Sequence, residues 1–339
     1  MWRLSVKKII RNITALICIS AMMLSQTINV RAADPAGAGT VFGFRYNDYP
    51  KSYISTQTTV INGIYFTVDT YHDRIIYSDT GVNNGNLFGW KVMADDLNKP
   101  HSICSDGDIY LVTDTDNNRV VTYGRFRSGE FVELQSFENV GIRPHYSVYD
   151  QSTGVFYVWS SYTGEMYLYS RISPSSNKLK FVGVKKLSTL YGLYTRSFTI
   201  DGNYILLCSQ GAGAIIAVDK KSFTPVAVYP VCDDLCGMVQ IAHVGGHYYL
   251  STSSDKLGNQ NKAIMARSDS LAGFGVPGMY TDVTAQFGGI SGILVPYYMT
   301  PVGDVYIARF IGMVGGYDDF AVSFTEDALG NIVIGTEFP

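Results

Sequence analysis

From residue 55 onward, short runs of apolar and β-branched residues alternate with clusters of Gly, Asp and Asn, and no long stretch keeps the spacing of an amphipathic helix. The pattern predicts strands throughout and therefore an all-β fold. Two of the runs rhyme. Residues 66–77 read Phe-Thr-Val-Asp-Thr-Tyr-His-Asp-Arg-Ile-Ile-Tyr, and residues 111–122 read Leu-Val-Thr-Asp-Thr-Asp-Asn-Asn-Arg-Val-Val-Thr, so Asp69, Thr70 and Arg74 return 45 positions later as Asp114, Thr115 and Arg119. Each copy is a strand, a polar turn and a second strand.

Strands bounded in this way fall into six units of four, whose first strands cover 58–61, 101–105, 145–149, 196–200, 238–244 and 292–300. A β-rich repeat of this length predicts a β-propeller, in which a four-stranded blade too small to bury both its faces stacks on copies of itself. A second rhyme sets the register. Lys99-Pro100-His101 stands before Asp106-Gly107 as Arg143-Pro144-His145 stands before Asp150, Arg196 precedes Asp201 by the same interval, and Val295-Pro296-Tyr297 precedes Gly303. The same interval counted back from Asn62-Gly63 and Gly245-Gly246 lands on Gln57 and Gln240. Six blades are expected, with five and seven as the alternatives, and residues 41–45 are placed to pair with the last strands and complete the ring.

Residues 100–121, with Asp106-Gly107 at one turn and Asp114-Thr115-Asp116-Asn117-Asn118-Arg119 at the next, resemble the repeat of NHL-type β-propellers. The resemblance is clear over about residues 64–124. It implies the fold and no particular activity, since one fold hosts many functions.

The N-terminus departs from the strand pattern. Lys7, Lys8 and Arg11 precede a mostly apolar run from Ile13 to Leu24, followed by Val30-Arg31-Ala32. That layout predicts a secretory signal peptide over 1–32, cleaved before Ala33. Beyond it come a segment at 33–54 and the propeller at 55–339, in a secreted or extracytoplasmic protein. No later run is long enough to span a bilayer. Arg3, Lys7, Lys8, Arg11 and Arg31 leave with the leader and no acidic residue does, so the remaining chain is more acidic than the formal net charge of −3. Nucleic acid and anionic membrane both need clustered positive charge, and neither is expected as a partner. A monomer is expected. Among the cysteines outside the leader, Cys104 and Cys208 sit in apolar strands and read as buried thiols. Cys232 and Cys236 flank a short loop and are candidates for a local disulfide in an oxidising compartment.

In a propeller, equivalent starts of the inner strands gather at one end of the central channel. The register therefore predicts a ring of Gln57, His101, His145, Arg196, Gln240 and Tyr297 there. Such a ring suits a binding or interaction module for a small molecule, glycan or protein ligand. The alternative is a lyase or hydrolase in which His101 and His145 hold a divalent metal and Arg196 clamps a substrate carboxylate. A third possibility is that repeat-equivalent polar residues simply line a water-filled channel. No catalytic residue is assigned: a Gly-x-Ser-x-Gly elbow is absent, and Asp114-x-Asp116-x-Asn118 lacks the glycine and closing glutamate of a calcium loop and reads as a turn.

Overall fold

The structure, a computed structural model, describes residues 51–80, 87, 89–312 and 317–339. Its strands form six antiparallel four-stranded sheets, each built from four consecutive strands, so every connection inside a sheet is a simple hairpin. Every inner strand packs against the inner strands of both neighbouring sheets, which makes the sheets the six blades of a β-propeller. In blades 1 to 6 the inner strands are Gln57–Ile61, Pro100–Ser105, Pro144–Asp150, Thr195–Asp201, Met238–Val244 and Leu294–Val302. Among the described residues no helix is long and apolar enough to cross a membrane.

The core lies between blades. Phe66, Val68 and Ile75 of blade 1 meet Ile103, Tyr110 and Val112 of blade 2, and Trp159 and Met166 of blade 3 meet Phe198 and Leu207 of blade 4. Because both faces of a blade are covered, the second strand of blade 2, Ile109–Asp114, is buried at every position, which explains why such segments read as near-continuous apolar runs.

The repeated Asp and Arg are struts. Asp69 accepts the Tyr53 N–H at 2.8 Å and pairs with Arg74 at 2.8 Å, while Asp114 accepts the Asn98 N–H at 2.7 Å and pairs with Arg119 at 2.6 Å. Each carboxylate thus ties the chain entering a blade to that blade's second turn. Asp73 and Asn118, beside the two arginines, adopt left-handed backbone with φ of 55° and 54°. Their side-chain oxygens accept the N–H groups of Lys99 and Arg143, at 2.9 and 2.7 Å, where the chain enters the next blade. The turn reading of these residues accounts for the repeat.

Blade 6 takes all its strands from the C-terminal part of the chain, ending in Ile332–Phe338, so the ring closes between complete blades. Residues 41–45, expected to contribute a closing strand, lie outside the described residues. Two small apolar clusters span the closure: Ile307, Ala321 and Phe338 against Val60 and Tyr65, and Val295 and Ile311 against Ile54 and Tyr71. The fully buried Arg309 adds bonds to Thr58 Oγ1 (3.3 Å), Ser52 Oγ (2.7 Å) and the Pro339 carbonyl, and lies 3.5 Å from Asp319. Asp319 in turn accepts the N–H groups of Ser55 and Gly312.

The expected Cys232–Cys236 disulfide is absent, and all four described cysteines are free thiols. A single 3-10 turn, Asp233–Leu235, separates the pair and directs them differently. Cys236 is buried with Ile215 and Leu235 between blades 4 and 5, whereas the half-buried Cys232 bonds with the Tyr280 side chain.

Candidate functional site

The site is built by a defect repeated near the start of the inner strands. In blades 2 to 6 the ladder to the second strand shifts register there, leaving an extra residue without a paired partner: His101, His145, Arg196, Val239 and Tyr297. Bulges of this kind re-aim a side chain out of the alternating pattern. Blade 1 has no shift, and Thr56 stands in the equivalent place, its N–H bonded to the Val68 carbonyl.

Four of the predicted ring members, His101, His145, Arg196 and Tyr297, therefore share one level, and Gln57 and Gln240 stand one residue further along. The difference has a simple cause. In blades 3, 4 and 6 the interval runs back from the last paired residue, Asp150, Asp201 or Val302, but in blades 1 and 5 it runs back from the first residue of the turn, beyond Ile61 and Val244. In blade 2 it also starts in the turn, at Asp106, but the ladder there is one pair shorter and the count still lands on His101. A slip of one residue exchanges the faces of a strand. Gln57 and Gln240 are buried and spent on other blades, both neighbours in the case of Gln57, and the neighbouring blade 6 and the more distant blade 3 in the case of Gln240. Gln57 accepts the Ile103 N–H at 2.7 Å and donates to Thr300 Oγ1 at 3.2 Å; Gln240 accepts the Met299 N–H at 2.6 Å and donates to the Tyr146 hydroxyl at 2.7 Å. They lace inner strands together.

The centre is filled at this second level. The ring of Tyr298 lies 4.5 Å from that of Tyr146, both buried, and the Tyr298 hydroxyl crosses from blade 6 to blade 3 to meet His145 Nδ1 at 2.6 Å. The arrangement is a polar floor with tyrosines beneath it.

On that floor the rings of His101 and His145 lie against each other, centroids 3.9 Å apart and planes inclined by 40°. His145 has hydroxyls on both nitrogens, Tyr298 on Nδ1 and Tyr194 on Nε2 at 3.1 Å. With both His145 nitrogens engaged by hydroxyls, the pair does not present two lone pairs to one ion, so the expected metal site on His101 and His145 does not fit. Among the described residues no group of three or more His, Cys, Asp or Glu could hold a metal. His101 Nδ1 lies 2.8 Å from the Lys99 carbonyl, which can only accept, so Nδ1 carries the proton and Nε2 is the acceptor. Nε2 has no hydrogen-bond partner among the described residues, and His101 as a whole is 7% exposed. Burial and the nearby Arg143 guanidinium hold the His101 imidazole down to about 3. Burial, reinforced by His101 and Arg143, holds His145 well below the ordinary range, so both rings are neutral near pH 7.

Arg196 is 7% exposed. Its donors reach Ser253 Oγ at 2.7 Å, Gln210 Oε1 at 3.4 Å and the Tyr194 hydroxyl at 3.3 Å, and its guanidinium lies over the rings of Tyr194 and Tyr297 at 5.3 and 5.7 Å. All these partners are neutral. Arg196 pairs with no carboxylate among the described residues, whereas Arg143 pairs with Asp116 at 2.9 Å and Lys99 with Asp73 at 3.0 Å.

Sequence reasoning missed Tyr71, Tyr162 and Tyr194, which complete the rim. Tyr162 and Tyr194 stack at 5.0 Å and 28°, and the Lys99 ammonium lies 4.7 Å over the Tyr71 ring. Tyr71 and Tyr162 sit two residues beyond Asp69 and Ser160, the ends of the second strands, so an alignment of those ends would have found both.

No known family model matches the chain, and no curated protein is similar to it in sequence. Solved structures do share its shape. A candidate 6-phosphogluconolactonase from Bacteroides fragilis superposes with a TM-score of 0.55 at 13% identity, over 82% of this chain and 81% of the other. Hydrazine synthase from Kuenenia stuttgartiensis gives 0.51 at 13%, over 86% and 80%. The periplasmic gluconolactonase of Pseudomonas aeruginosa gives 0.50 at 13%, over 85% and 81%. Likeness at such identity is likeness of fold, and the chain is a six-bladed β-propeller.

Proposed function

We propose that this propeller is an exported binding module that takes a small anionic ligand where the inner strands begin, with Arg196 as the anion receptor. The observation that carries the reading is the charge of Arg196, which no carboxylate among the described residues compensates. A buried cation without a counter-charge costs several kcal/mol, and a bound anion offsets that cost. The tyrosine faces around it weaken the penalty without cancelling it. Binding is favoured over acid–base catalysis because nothing on the floor titrates near neutral pH: the two imidazoles are held neutral, and burial pushes the Tyr297 and Tyr298 phenols up.

The test pairs ligand and stability measurements on Arg196→Met. Removing a charge that has no partner should leave the melting temperature of the free protein equal or higher. Binding of small carboxylates, followed by calorimetry at constant ionic strength, should disappear. A variant that melts several degrees lower and still binds would overturn the proposal. Export rests on the arrangement of residues 1–32. The protein recovered outside the cytoplasmic membrane should have the intact mass of a chain starting at Ala33, and one retaining residues 1–32 would refute cleavage.

A further inference from the structure

We propose that the ligand is a sugar acid of monosaccharide size, its carboxylate on Arg196 and one of its hydroxyls donating to Nε2 of His101. The inference rests on the anion-binding reading and specifies the molecule that satisfies it.

Three features select this chemistry. The first is charge. With Arg143 on Asp116 and Lys99 on Asp73, Arg196 is the cation left over at the mouth, so a single negative charge balances the site and a phosphate dianion would overfill it. A planar guanidinium also matches a carboxylate through parallel N–H donors.

The second is the fixed tautomer of His101. Since the Lys99 carbonyl takes the Nδ1 proton, Nε2 can only accept. A bare carboxylate such as acetate has nothing to donate to it. A ligand that fills the site must therefore carry a hydroxyl or similar donor together with its anion.

The third is spacing and shape. The Tyr194 hydroxyl bridges Arg196 Nε, at 3.3 Å, and His145 Nε2, at 3.1 Å, and the His145 ring lies against that of His101. Receptor and acceptor are thus linked through one phenol and one imidazole. Tyr71, Tyr162 and Tyr297 surround that span with flat apolar faces and with hydroxyls that both donate and accept. A polyhydroxylated ring with one carboxylate uses all of these groups.

Calorimetry with galacturonate, glucuronate and gluconate is compared with methyl galactoside, acetate and glucose 6-phosphate as probes. At least one sugar acid should bind ten times or more tightly than acetate or methyl galactoside. His101→Phe keeps an aromatic ring against His145 and removes the acceptor, so it should weaken the sugar acid by roughly tenfold and leave acetate unchanged. Arg196→Met should abolish both. Acetate binding as tightly as the sugar acids, or a preference for glucose 6-phosphate, would overturn the sugar-acid inference while the anion reading stands. Equal binding of methyl galactoside, or no binding of any anion, would bring down both. A His101→Phe protein whose circular dichroism matches the parent but whose sugar-acid affinity is unaltered would remove His101 from the site.

Discussion

At the scale of single residues, the buried arginines divide by whether they have a counter-charge. Arg196 has none among the described residues and is surrounded by hydroxyls, an amide and aromatic faces. Arg309 faces Asp319 and spends its donors on Thr58, Ser52 and the C-terminal carbonyl. Their substitutions should therefore act in opposite directions. Arg309→Met leaves the Asp319 carboxylate, already pushed up by burial, without its cation, and should cost about 3–5 kcal/mol in urea unfolding. Adding Asp319→Asn should restore part of the loss. If Arg309→Met is neutral, the closure does not depend on the pair. The glutamines, read from sequence as ligand groups, are among the most tightly committed side chains in the ring. Their composition looked functional, and only their hydrogen bonds, to Ile103 and Met299, reveal otherwise.

At the scale of elements, the face opposite the site shows a device that recurs between blades. The turn after the inner strand of one blade is fastened to the end of the third strand in the next. Asp106 holds Arg171 at 2.6 Å, Asp150 holds Lys220 at 2.8 Å, and Glu326 accepts from His247 and the Gly246 N–H. Burial pushes all three carboxyls up, but Arg171, Lys220 and His247, with nearby hydroxyl and N–H donors, outweigh it and hold them below their usual values. A depressed folded-state pKa means that the unfolded chain binds protons first. The stabilisation is complete above the unfolded values near 4 and is lost as pH falls through the lower folded ones. Melting temperature should fall with acid below about pH 4. The triple variant Asp106→Asn, Asp150→Asn, Glu326→Gln should start lower, by about 1–2 kcal/mol per partly exposed pair, and show a flatter acid limb. An unchanged acid limb would mean that the clamps carry no proton linkage. These pairs join residues about 65 to 80 positions apart, and nothing in the local pattern advertises them.

At the scale of the whole molecule, a ring must close on itself, and this one does so with two small apolar clusters in place of a single larger one. Between most blades the interface is one larger cluster of buried aliphatic and aromatic residues, but between blades 6 and 1 it is two small ones, Ile307, Ala321 and Phe338 against Val60 and Tyr65, and Val295 and Ile311 against Ile54 and Tyr71, with polar bonds around them. Closure brings Thr56 and Tyr71 of blade 1 to the same mouth as Tyr297 of blade 6, so the candidate site exists only in the closed ring. The shared shape with other solved propeller-like structures stops at this scale, since it fixes where a site can form and leaves its side chains open.

What the sequence determined by itself was the local alternation of apolar runs and turns, the repeat, and through them an all-β ring of six blades. Those follow from backbone sterics and from the need of each small sheet to bury two faces, and both are written in neighbouring residues. It also singled out His101, His145, Arg196 and Tyr297, because a bulge at a repeated position leaves a repeated spacing. The tertiary structure decided the rest: that Gln57 and Gln240 belong one residue deeper, that Cys232 and Cys236 stay apart, that both His145 nitrogens are taken, and that Arg196 is left without a counter-charge. Each of these depends on whether a partner from a distant blade arrives within hydrogen-bond reach. Such partners are set by the closure of the ring, and no window along the chain contains them.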